Sequence, residues 1–197
     1  MTLVDSHAAL AVGPLRTVPN YITAVRTVAA VTVGVLAIVS GSVGLMAVSY
    51  VIYWIGDVLD GWTARRLGQE TRAGAVFDIV SDRACTAVLC VGLIALVPGI
   101  AVVALVFLLA FLVLDTMLSL AFLCWPVLSP NYFHLVDRRV WALNWSPVAK
   151  VANTAGVICA IAFGQHLLAL GVAIAVVAVK LWSAAAVVRL LERDGRA

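Results

Sequence analysis

Charge is scarce in this chain of 197 residues: Asp, Glu, Lys and Arg make up 12% of it, against 64% apolar residues. A soluble domain carries about twice that charge and fewer apolar side chains, so both departures exclude an ordinary water-soluble globule. Lysine is almost missing, with Lys150 and Lys180 against 11 arginines, a bias that fits a GC-rich bacterial genome. The four cysteines, Cys85, Cys90, Cys124 and Cys159, lie in or beside apolar runs with no C-x2-C spacing, which argues for small buried hydrophobes rather than a metal site. Residues 1–14 lack a basic stretch followed by an apolar core, so they read as neither signal nor transit peptide. A net charge of +3 with no basic tract points to membrane lipids as surroundings and not to nucleic acid.

Long apolar runs are what the chain has instead. Tyr21 to Ser40, Val43 to Ala64, Ala73 to Val97, Gly99 to Leu123, Val148 to Phe163 and Leu167 to Leu190 are candidates to cross a bilayer, at about 20 residues per crossing. The fifth is short and needs flanking residues. Gly41-Ser42, Pro98-Gly99 and Gly164-Gln165 form tight connections. The expectation is a single all-α membrane domain over residues 1–197, with six transmembrane helices and both termini on one side. Arg16, Arg65, Arg66, Arg72, Arg138, Arg139, Arg193 and Arg196 all fall on that side, and the tight connections hold no Lys or Arg. By the positive-inside rule it is cytoplasmic, in a cell membrane and with residues 1–18 as a cytoplasmic segment. Ser146-Pro147 offers a cap and first-turn proline for helix five, and Pro19-Asn20 a related start for helix one. The connection 124–147 holds Tyr132, Phe133, Trp141 and Trp145 beside Asp137, Arg138 and Arg139, and its stretch from Asn131 to Asn144 is expected as an interfacial helix between helices four and five.

Four carboxylates interrupt the second and third apolar runs: Asp57, Asp60, Asp78 and Asp82. Each costs on the order of 3 kcal/mol at the centre of a membrane helix, so they must face a polar cavity or a cation. Asp57, Asp60, Gly61 and Ala64 share one helical face by their i, i+3, i+4, i+7 spacing; Gly74, Asp78 and Asp82 share another. Two antiparallel helices leaving a loop centred near Gln69 bring Asp57 level with Asp82 and Asp60 nearly level with Asp78. Four acids in one pocket cannot all stay ionised without cations. Oxygen ligands suit Mg²⁺ or Mn²⁺, and two ions sharing carboxylates suit displacement at phosphorus.

Around them, Gly61, Ala64 and Gly74 keep the facing surfaces low, so that a nucleotide could lie against backbone, although small residues also serve close helix packing. Arg65 stands at the end of the same face, where it could grip a phosphate or simply anchor the helix, and Thr71 is placed to cap the third helix. A proton or ion pathway through the aspartates is the rival reading.

The pattern Asp57-x2-Asp60-Gly61-x2-Ala64-Arg65-x8-Gly74-x3-Asp78-x3-Asp82 resembles, at every fixed position, the signature of the CDP-alcohol phosphatidyltransferase family. The resemblance implies transfer of a phosphatidyl group from CDP-diacylglycerol or a related CDP-lipid to an acceptor hydroxyl, with release of CMP. It implies that Asp57 and Asp78 bridge two metal ions, that Asp60 and Asp82 complete one site each, and that Asp82 is also the general base. Gly61, Arg65 and Thr71 would contact the CDP-lipid, with Asn20 and Thr23 as the family's polar positions on helix one. A homodimer is implied by the same resemblance, and a degenerate subunit that only binds nucleotide is the remaining alternative.

Arg26, Arg83, Asp115 and Lys180 are further charges inside spans, with Lys150 near a helix start. They either pair with one another, as Asp115 with Arg83 or Lys180, or form a cationic pocket for an anionic or polyol acceptor. VPNYITAVR and Lys150-Val151-Ala152-Asn153-Thr154 resemble segments of phosphatidylglycerophosphate and cardiolipin synthases. That favours glycerol 3-phosphate as acceptor, with phosphatidylglycerol or an inositol phosphate as alternatives and Lys150, Arg26, Arg83 and Asp115 as the acceptor pocket. Leu114-Asp115 departs from the Arg-acid pair usual in those enzymes.

Overall fold

The computed structural model describes residues 11–152 and 164–195. Among them every regular element is helical and none is a strand. Five helices are long and apolar enough to cross a membrane: α1 (Val18–Ser40), α2 (Val43–Leu67), α3 (Arg72–Leu96), α4 (Pro98–Cys124) and, later in the chain, His166–Arg193. Their outward faces carry large exposed side chains such as Val25, Val28, Val39, Trp54 and Leu105, apolar surface of the kind a bilayer shelters. The protein is an integral membrane protein. Most of the fifth candidate span, 153–163, lies outside the described residues; its start, 147–152, is helical. There Ser146 Oγ accepts from Ala149 N at 3.1 Å, with Pro147 in the first turn.

The described residues form two compact units, one of Val12–Ala104 and one from Leu105 onward. In the first, α1, α2 and α3 pack together. Both connections are built the same way. Gly41 ends α1 at φ 68°, with Ser42 N on Ala37 O, and Ser42 then caps α2 by accepting from Leu45 N. Gly68 ends α2 at φ 61°, with Gln69 N on Ala64 O, and Thr71 caps α3 by accepting from Gly74 N at 2.9 Å. These are left-handed glycine stops followed by hydroxyl caps, and they fix α2 and α3 as antiparallel neighbours. Away from the Gly68 corner the three helices meet on Ala37, Met46 and Leu89, with Tyr50, Tyr53 and Leu93 packed around them. Approach is close there: a Cβ on Gly92 would lie 2.1 Å from Met46 Cε.

A strap of extended chain crosses the Gly68 corner. Val12 O accepts from Ala73 N, Pro14 O from the Thr71 hydroxyl and Leu15 O from the Asn20 amide, while the Gln69 side chain accepts from Val18 N. Gly13 passes Thr71 at φ 75°, where an added Cβ would lie 2.8 Å from Thr71 Cβ.

In the second unit α4 contains a π-helical stretch, Ala110–Asp115. The aromatic connection differs from the single interfacial helix expected. It is a 3-10 helix, Pro130–Leu135, followed by α5 (Arg138–Asn144), because Asp137 breaks the run and accepts from Arg139 N and Val140 N. Its rings turn inward: Phe133 packs on Trp125 and Trp145 at centroid distances of 5.4 and 5.0 Å, all three buried. Trp125 Nε1 also donates to Asp194 just past α6 (His166–Arg193).

Candidate active site

The site is assembled on the first unit from one face of each helix. On α1 the buried positions Pro19, Thr23, Arg26, Ala30, Gly34 and Ala37 form a single stripe, and it faces the two aspartate-bearing helices. Asp57 and Asp60 enter from α2, Asp78 and Asp82 from α3. They converge: Asp57, Asp60 and Asp78 each present a carboxylate oxygen within 4.8 Å of the others.

At the centre stands a group that the sequence reading places elsewhere. Arg26, expected in the acceptor pocket, reaches all four aspartates. Its Nε donates to Asp60 Oδ2 at 2.7 Å, and its Nη2 lies 2.6, 3.0 and 3.4 Å from Oδ1 of Asp78, Asp82 and Asp57. Four carboxyl groups against one guanidinium leave acids in excess of the cation that faces them. The Arg26 side chain is 3% exposed and that of Asp60 6%, whereas Asp82 is 21%, Asp78 40% and Asp57 41% exposed. Arg26 and Asp60 thus form a buried floor, and the other three carboxylates line its open side. The Tyr53 ring lies 5.5 Å from the Arg26 guanidinium carbon, a cation–π contact. Gly56 provides the room: a Cβ there would come within 2.5 Å of Arg26 Cβ and Cδ.

Thr23 belongs to the same floor. Its hydroxyl donates to Asp60 Oδ2 at 2.7 Å, so Asp60 is oriented from α1 by two donors. The remaining expected nucleotide-side residues divide into two kinds. Gly74 is packed: an added Cβ would sit 2.8 Å from Asn20 Oδ1 and 2.9 Å from Thr71 Oγ1. Gly61 is not; the nearest foreign atom to such a Cβ is Arg65 Nη1 at 3.4 Å, which leaves the α2 backbone open with Arg65 beside it. Ala64, half-buried, continues that face, and Arg66 instead lies over Trp62.

The expected acceptor residues are divided between the two units, Arg26 and Arg83 in the first, Asp115 and Lys150 in the second. Arg26 is held by the aspartates, and Arg83 follows Asp82 on α3, half-buried. In the second unit Asp115 is paired with Lys180, one of the two pairings the sequence allows. Asn144 Nδ2 donates to Ser183 Oγ at 2.8 Å beside this pair, and Lys150 Nζ donates to Asn131 Oδ1 at 2.9 Å on the surface. Asn153 and Thr154, which follow Lys150 in the synthase-like pattern, lie outside the described residues, as do Cys159 and Arg196.

An all-oxygen donor set with excess negative charge is what hard divalent cations take, so the residues fit the metal centre the sequence suggests. The stripe on α1 was the readable signal for Arg26: a lone arginine three residues from Thr23 and four from Ala30, on a face otherwise of small side chains.

Two curated relatives share short stretches with the chain. A CDP-diacylglycerol--inositol 3-phosphatidyltransferase 1 from Arabidopsis thaliana is 47% identical over 47 residues, 24% of this chain and 21% of the relative. A CDP-diacylglycerol--inositol 3-phosphatidyltransferase from Schizosaccharomyces pombe is 45% identical over 47 residues, 24% and 20% of the two chains. The match therefore spans about a fifth of the length of each relative. No solved structure matches the chain. The family described as CDP-alcohol phosphatidyltransferase matches over residues 16–188, nearly the whole chain and all four aspartates, and the protein belongs to that family.

Proposed function

We propose that this protein transfers a phosphatidyl group from a CDP-linked lipid such as CDP-diacylglycerol to a hydroxyl of a polyol acceptor, releasing CMP. The observation that carries the reading is the convergence of Asp57, Asp60, Asp78 and Asp82 on one point in a membrane protein of this family. Asp57, Asp60 and Asp78 would hold one divalent ion, and Asp57, Asp78 and Asp82 a second; Mg²⁺ and Mn²⁺ both suit the donors. Such ions, when bound, supply charge neutralisation for a diphosphate and its leaving group. The open backbone at Gly61 and Ala64, with Arg65 at its end, receives the CDP moiety, and the packed Asn20–Thr71–Gly74 corner shapes its boundary. The acceptor oxygen bonds to the lipid-side phosphorus as the phosphorus–oxygen bond to CMP breaks, and the acceptor's proton passes to Asp82.

For the acceptor we favour an uncharged polyol of the inositol type over glycerol 3-phosphate. Two relatives are named for inositol, and Arg26, one of the cations proposed for the acceptor pocket, is held by the four aspartates. The site opens to the cytoplasm of a bacterial cell in this reading, supported by the arginine asymmetry. Six spans in one domain over residues 1–197 and a homodimer complete the proposal.

The test is CMP release from CDP-diacylglycerol by purified protein, with inositol, inositol phosphate, glycerol 3-phosphate and phosphatidylglycerol supplied in turn and the lipid product identified by mass spectrometry. Release should require Mg²⁺ or Mn²⁺ and vanish in Asp82→Asn. Phosphatidylglycerophosphate as product would reinstate glycerol 3-phosphate, and release unaffected by Asp82→Asn would remove its role as base.

A further inference from the structure

Each of the four aspartates gives one oxygen to Arg26 and keeps the other. Oδ1 of Asp57, Asp78 and Asp82 and Oδ2 of Asp60 take the guanidinium. The second oxygens of all four take no hydrogen bond among the described residues, and Thr23 adds its bond to the Asp60 oxygen already in use. This division is not required by charge alone, since a guanidinium commonly pairs with both oxygens of a single carboxylate. Here two of its nitrogens spread across four carboxylates on two helices. Its position is itself fixed, by burial, by the room left at Gly56 and by the Tyr53 ring. Arginine keeps its charge at any pH a folded protein meets, so titration of the guanidinium does not undo the arrangement.

We propose that Arg26 is the positioning residue of the metal centre: one guanidinium gathers one oxygen from each of Asp57, Asp60, Asp78 and Asp82 and leaves the other four for divalent ions. The inference rests on the metal reading above and goes beyond it, because it assigns a cation to the assembly of a cation site. Coulomb repulsion by itself makes the opposite prediction. A fixed positive charge beside a metal should weaken its binding, so removing it should tighten the site. Removing an organiser should loosen it, by the 10–100-fold typical when a partner of a metal ligand is lost.

Mn²⁺ binding to the purified full-length protein, read from the free-ion signal in electron paramagnetic resonance without any lipid or acceptor, separates the two. Arg26→Gln should raise the Mn²⁺ dissociation constant by about 10–100-fold. Arg26→Lys should recover part of the loss, since an ammonium restores the charge without the two-nitrogen reach. Unchanged or tighter binding in Arg26→Gln overturns the proposal. Should that variant not fold, Arg26→Lys decides alone, and wild-type affinity in it counts against the proposal. Asp78→Asn tests the underlying reading: if it binds Mn²⁺ as the wild type does, the metal centre itself is wrong, whereas its failure to bind beside an indifferent Arg26→Gln sinks only the positioning role.

Discussion

Asp60 accepts from Thr23 and from Arg26 on a single oxygen, deep under three more open carboxylates. Its substitution by Asn would remove the charge that faces the guanidinium and leave Arg26 with fewer acceptors, so metal-dependent CMP release should fall about 100-fold or more, measured at saturating CDP-lipid. Gly56 is the residue whose absent side chain matters most. Gly56→Ala places a methyl 2.5 Å from the Arg26 side chain, and overpacking of this kind costs about 1–3 kcal/mol; a lower melting temperature together with weaker Mn²⁺ binding is the expected result. That the four aspartates come together is legible from sequence, because a carboxylate in an apolar helix has few tolerable surroundings and the i, i+3 and i, i+4 spacings say which face it takes. Arg26 is less legible. A buried cation can satisfy itself against any acid within reach, and spacing on α1 does not say which helix its stripe will meet.

Helix starts and stops are the most sequence-determined elements of the fold. Gly41-Ser42 and Gly68 through Thr71 stop one helix and begin the next with backbone geometry and hydroxyl caps that residue type alone suggests. Thr71→Ala should cost about 1 kcal/mol through loss of the bond to Gly74 N, visible as a modest drop in thermal stability. The aromatic connection is the counter-example. Its composition suits a helix lying flat in headgroups, yet Asp137 splits it and Phe133, Trp125 and Trp145 bury one another; amphipathic patterning cannot tell a lipid interface from a protein one. In α4 and α6 the pair Asp115–Lys180 is the costly element. Asp115→Asn alone leaves Lys180 buried and should destabilise by about 3–5 kcal/mol, whereas replacing both by apolar residues should cost much less, a contrast that thermal melts of the single and double variants would show.

At the scale of the molecule, two polar centres sit inside an otherwise lipid-facing chain, one in each compact unit: the aspartates with Arg26, and Asp115 with Lys180, Asn144 and Ser183. Composition and hydropathy reveal the membrane and the number of long apolar runs; they do not say which of the scattered charges find each other, since that depends on rotations of whole helices. The strap from Val12 to Thr17 has a practical outcome for anyone shortening the protein. Three of its backbone oxygens serve donors at or near the turn that joins the two acidic helices, so the chain's leading end doubles as a clasp. A version beginning at Thr17 should be cut faster by trypsin at Arg65, Arg66 or Arg72 than the full chain is, like a hinge whose pin is drawn; equal rates would deny the strap this role.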